Sequence, residues 1–139
     1  MKTKKFPQFY IVRLEKGEEI IQSLNRVVRE NSITGGFFFG LGVGKDLRLG
    51  YFDAHTQQYK EKKFEGEYEF TSFSGNISKF DEETMIHCHI NITDKNFNAF
   101  GGHLFEGYVP ATLEVIILPL NGELIRKTDK ETGLKLLEL

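Results

Sequence analysis

Between Met85 and Ile92 the chain alternates without a break. Ile86, Cys88, Ile90 and Ile92 are apolar, while His87, His89 and Asn91 are polar. Period two marks a strand with one buried face and one free face. Strand-like segments recur along the sequence, whereas helical periodicity occurs once. Ile20, Leu24, Val27 and Val28 fall at i, i+4, i+7 and i+8 and make one apolar stripe. One helix set against many strands predicts an α+β fold, a largely antiparallel β-sheet packed with one main helix.

Other strands are expected at residues 9–14, 36–41, 47–53, 59–64, 67–74, 84–92, 97–105 and 111–118. The helix is expected from Gly17 to about Glu30, with Glu18 and Glu19 in a first turn that favours negative charge. The tail from Asn121 to Leu139 is charged, carries Leu134, Leu136 and Leu137, and has no assignable period. The 139 residues contain no repeat or linker and read as one domain, with residues 1–5 a flexible basic tail. Thirteen Phe and five Tyr suit a β-rich core.

The polar face of residues 84–92 carries chemistry. His87 and His89 share it, and a third histidine follows in Gly101-Gly102-His103. The polar stretch Thr93-Asp94-Lys95-Asn96 reads as a hairpin loop. Pairing centred on Lys95 sets Ile90 against Phe100, Ile86 against Leu104, His89 against Gly101 and His87 against His103. Opposed side chains lie about 4.5–5.5 Å apart at Cβ, close enough for imidazoles to share an ion at about 2.0–2.1 Å. In this register Gly101 leaves room above the strand. Three histidines without a fourth protein ligand leave an open coordination position, as catalytic zinc sites do. Zn²⁺ is the first choice of cofactor, and another divalent transition metal also suits imidazole. The competing account is a polar cross-strand cluster that binds an anion or hydrogen-bonds at a subunit interface. Cys88 points away from the histidines, and His55 sits in a polar surface loop.

Arg13 and Glu114 each interrupt an apolar strand. They either pair, line a pocket with Glu114 supporting a metal-bound imidazole, or lie in water. Gly40-Leu41-Gly42-Val43-Gly44-Lys45 has the wrong spacing for a phosphate loop and reads as a glycine-rich turn. A single cysteine excludes an intrachain disulfide framework and suits the reducing cytoplasm. No apolar run reaches the ~18 residues of a membrane span.

Taken in order, Gly40-Leu41-Gly42, Leu49-Gly50-Tyr51-Phe52-Asp53, Ser72 to Ile77, His87-Cys88-His89, Gly101-Gly102-His103-Leu104 and Glu114-Val115 resemble the plants-and-prokaryotes-conserved (PPC) domain family, in its short prokaryotic form. The resemblance covers nearly the whole chain. It implies a compact α+β domain assembled as a homotrimer. It also implies a metal, typically zinc, at His87, His89 and His103. The family is often labelled DNA-binding, because plant relatives join the domain to AT-hook segments, and this chain has no Arg-Gly-Arg-Pro core.

Two functions follow. One is a metal-binding trimeric domain with a regulatory or partner-binding role, including the DNA-binding role of the family label. The net charge of −2 argues against a broad nucleic-acid footprint, and Lys60, Lys62 and Lys63 form only a modest patch. The other is a metal-dependent hydrolase or lyase acting on a small polar ligand. There Arg13 would orient the ligand and Glu114 would act as base.

Overall fold

The computed structural model describes residues 1–139. Nine strands and one helix follow the chain as β1 (Lys2–Lys5), β2 (Tyr10–Glu15), α1 (Ile20–Glu30), β3 (Gly36–Asp53), β4 (Gln58–Phe80), β5 (Glu83–Thr93), β6 (Ala99–Tyr108), β7 (Thr112–Pro119), β8 (Arg126–Thr128) and β9 (Lys135–Leu137). The first seven form one sheet in the order β1-β2-β7-β3-β4-β5-β6. Every pairing within it is antiparallel.

The long strand β3 organises the fold. One edge pairs with β4 along almost its full length. The other edge is divided, with residues 36–42 against β7 and residues 45–50 against β6. Because β6 also pairs with β5, strands β3, β4, β5 and β6 close on themselves. Register irregularities at Gly40/Gly42 and Lys45/Leu47 bend β3 where its partner changes. The glycine run expected as a turn therefore lies inside a strand. A Cβ on Gly42 would strike the Thr112 carbonyl, and one on Gly44 would strike the Phe70 ring.

The helix begins later than expected, at Ile20. Glu19 is its N-cap, accepting from the Gln22 amide at 2.6 Å. Ile20, Leu24, Val27 and Val28 are buried as predicted, and the helix packs on β5 and β6. The core also takes Val12, Leu14, Phe73, Ile77, Leu113, Val115 and Ile117 from the inner face of the sheet.

Residues 2–5, expected as a flexible tail, instead form an edge strand paired with β2. The Met1 ammonium anchors it to Glu15 at 3.0 Å and Glu18 at 2.8 Å. The unassigned C-terminal segment folds back as the β8–β9 hairpin. No helix is long and apolar enough to cross a membrane.

Candidate metal centre

The three histidines converge. Their ring centroids are 5.0 Å apart for His87–His89, 5.1 Å for His87–His103 and 5.4 Å for His89–His103. One ligand nitrogen from each lies within 4.8 Å of the others. Local strand geometry explains the gathering. His87 and His89 alternate with the fully buried Cys88 and Ile90, so both rings point out of the core.

The third ring arrives in a register that differs from the expected one. His103 lies opposite His89, not His87, and Gly101 lies opposite Asn91. The hairpin turns about Asn96, with Thr93 paired to Ala99. Asp94 sets this loop, since its Oδ1 accepts from the Asn96 and Asn98 amides at 2.8 and 2.9 Å. A shift of two residues keeps His103 on the same face, so the cluster survives the change. The residue that makes room is Gly50, opposite His103 on β3. A Cβ there would run into Phe105 and Tyr59. Those two rings pack on His103 at centroid distances of 4.6 and 5.4 Å.

Arg126 on β8 completes the site. Its side chain is buried and makes four contacts. Nε donates to Ser78 Oγ at 2.8 Å, Nη1 to the Lys135 carbonyl, and Nη2 to Asn76 Oδ1 at 2.7 Å. Nη2 also lies 3.1 Å from His87 Nδ1. A guanidinium can only donate, so Nδ1 accepts in this contact. A metal on Nε2 would leave a proton on Nδ1 facing the arginine. Metal occupancy and this hydrogen bond therefore oppose each other.

The donors suit a transition-metal ion. Burial, then the Arg126 charge, then His89 push His87 from its ordinary 6.5 down to about 4. Burial, followed by His87 and His89, takes His103 to about 4 as well. Both rings are neutral at pH 7, so protons do not compete for their ligand nitrogens. His103 Nδ1 is buried without a hydrogen-bond partner. Such an orphaned atom is costly, and a coordinated ion would satisfy it. These residues fit a three-imidazole site. Cys88 faces the core, where burial pushes its thiol well up, and it takes no part.

The rings form the floor of a cavity of about 470 Å³, walled by Phe52, Tyr59 and Phe105 and by Leu134 and Leu136 of the C-terminal segment. Arg13 and Glu114 do not line it. They face each other on β2 and β7, on the exposed side of the sheet. Arg13 turns instead to Glu15 at 3.2 Å. His55 is exposed in a turn, as expected.

The Plants and Prokaryotes Conserved domain model matches residues 1–121. The chain belongs to that family. No protein of curated function matches it. Among solved structures, a metal-containing protein from Archaeoglobus fulgidus is 30% identical with a TM-score of 0.89, covering 100% of both chains. A plant- and prokaryote-conserved protein from Pyrococcus horikoshii is 29% identical with a TM-score of 0.88, covering 99% of this chain and 94% of that one. A protein from Bacteroides thetaiotaomicron, named as a "putative DNA binding protein", is 28% identical with a TM-score of 0.95, covering 99% and 96%. Arg126 and the β8–β9 hairpin lie beyond the matched 121 residues, in the tail that sequence periodicity left unread.

Proposed function

We propose that this PPC-domain chain binds one divalent metal ion, Zn²⁺ first, at His87, His89 and His103, and acts as a cytoplasmic homotrimer with a regulatory or partner-binding role. The observation that carries the reading is the convergence of three imidazoles, one of which, His103, has a buried Nδ1 without a hydrogen-bond partner. The metal-containing relative supports it.

Self-association has its own support on the outer face of β2, β7 and β3. Phe37, Phe39 and Leu41 alternate along β3 at 47%, 49% and 64% exposure. In register beside them lie Leu118, Ile116 and Glu114, and then Ile11 and Arg13. A contiguous apolar stripe on a small domain marks an interaction surface. Arg13 and Glu114 close one end of it, which suits a role in subunit contacts better than a role at the histidines.

Three observations weigh against DNA as the main partner. Lys60 pairs with Asp53 at 2.6 Å, and Lys62 lies over the Phe64 and Phe100 rings. Arg48 is held by Glu61 and Glu106. Cations engaged in this way offer phosphates little. The open cavity above the histidines favours the enzyme reading, as a hydrolase or lyase. Yet no carboxylate lines that cavity to serve as general base. Binding is the better account.

Metal analysis of purified protein tests the reading. About one ion per chain, lost in His87→Ala and His103→Ala, supports it, and metal-free protein under all loading conditions refutes it. Light scattering reads the trimer. A DNA fragment left unshifted at low salt removes the DNA-binding role.

A further inference from the structure

The charge of the histidine cavity is one-sided. Arg126 and Lys135 are the charged residues in its lining, and no Asp or Glu is among them. Three neutral imidazoles leave a divalent ion with its full charge. The Arg126 guanidinium lies against one of those imidazoles, 3.1 Å from His87 Nδ1. A metal cation and a guanidinium in one half-buried cavity without a counter-ion repel each other. The walls are apolar, from Phe52, Tyr59, Phe105, Leu134 and Leu136. At about 470 Å³ the space falls within the range of small-molecule sites.

We propose that the cavity takes a small organic anion, a monocarboxylate with an aromatic or branched apolar body, whose carboxylate lies between the metal and Arg126. The proposal rests on the metal reading above and names the ligand class for that site. Arg126 has the donors for it. Four of its contacts are accounted for, and a guanidinium carries five N–H groups. A metal on His87 Nε2 would free a second, because it sets a proton on Nδ1 and breaks that hydrogen bond. The body of the ligand then lies against the aromatic wall, under the leucines of the C-terminal segment. That segment is tied to the body of the domain ahead of the two leucines. The Lys79 amide donates to the Leu124 carbonyl at 2.7 Å, and Gln57 Nε2 donates to the Glu131 carbonyl at 2.7 Å.

The test uses the full chain loaded with Co²⁺, whose visible absorption reports its ligands. Phenylacetate, acetate and phenylacetamide are titrated in turn. The expected result is a saturable spectral change with phenylacetate at an affinity at least tenfold tighter than acetate, and none with phenylacetamide at equal concentration. Arg126→Met weakens both anions by about tenfold or more. Leu134→Ala weakens phenylacetate and spares acetate. Full Co²⁺ loading with a spectrum indifferent to both anions overturns this proposal alone, as does equal binding of the amide. Failure to take up Co²⁺ at one ion per chain overturns the metal reading, and this proposal with it.

Discussion

Replacing Arg126 with Met separates what holds the C-terminal segment from what holds the metal. The arginine is 7% exposed and joins β8 to Ser78 and Asn76 on β4, to the Lys135 carbonyl on β9 and to His87 on β5. Methionine keeps much of the apolar stem and removes every donor. Hydrogen bonds to a charged group contribute about 1.5–3 kcal/mol each, and a buried acceptor left unpaired costs about 1–3 kcal/mol. Ser78 is fully buried and loses its partner outright. The release of a buried guanidinium from its desolvation cost offsets part of the loss. The net expectation is roughly 2–4 kcal/mol of lost stability in the metal-free protein, or about 10 °C in melting temperature for a domain of this size. Metal affinity moves the other way. The variant removes a donor that engages His87 Nδ1 and a cation beside the ion, together worth about 1.4 kcal/mol, which is a tenfold tighter Kd. Urea unfolding of the metal-free protein and competitive Zn²⁺ titration read the two effects. A stability loss below 1 kcal/mol, or a metal affinity that is unchanged or weaker, refutes the reasoning.

Three further outcomes are expected. The metal-free protein loses stability as pH falls from about 6.5 towards 4, because His87 and His103 titrate near 4 when folded and 6.5 when unfolded, so the unfolded chain takes up protons first. Discounted for partial exposure, the pair contributes roughly 3 kcal/mol, present above pH 6.5 and gone near pH 4; a His103→Gln variant with an unaltered acid profile contradicts this. Gly50→Ala forces the Phe105 and Tyr59 rings away from His103, at a cost of about 1–3 kcal/mol and with weaker metal binding, read by unfolding and Zn²⁺ titration. Phe39→Lys on the outer apolar stripe yields monomers by light scattering with a melting transition still cooperative, and an undiminished trimer removes that stripe from the interface.

The alternation through His87 and His89 made one feature of the site legible, the face. Any register that preserves period two places His103 with them, so the cluster could be read without the correct pairing. The pairing itself was not legible, because apolar residues match in both registers. Ile90 against Phe100 looks as good on paper as Ile92 against Phe100, which is the one formed. The Asp94 side chain decides between them by accepting two loop amides, and that contact is visible only in three dimensions. Gly50 and Arg126 were out of reach for a different reason. Gly50 meets His103 only because β3 changes partner halfway along its length. Arg126 belongs to a three-residue strand, too short to show a period. Its contact with His87 spans 39 positions of sequence. The helix stripe, by contrast, depends on neighbours within two turns and was read residue by residue.

The register also sets the proposed metal site and the proposed subunit surface side by side. Directly paired residues in a sheet point to the same face. From β7 to β5, one row runs Leu118, Phe37, Asn76 and His87, and the next runs Ile116, Phe39, Ser74 and His89, with His103 beyond it on β6. The apolar stripe and the histidines therefore share one face of the sheet, separated by the single strand β4. At about 4.8 Å between strands, the imidazoles of His87 and His89 lie about 10 Å from the phenylalanines. A subunit packed on Phe37 and Phe39 would reach Asn76, which is held by Arg126 of the cavity lining. Under the proposed metal reading, movement of Arg126 away from His87 would then be felt at the edge of that contact. Metal loading and assembly should be linked, and linkage is reciprocal: whatever factor the ion adds to self-association, self-association adds to the affinity for the ion.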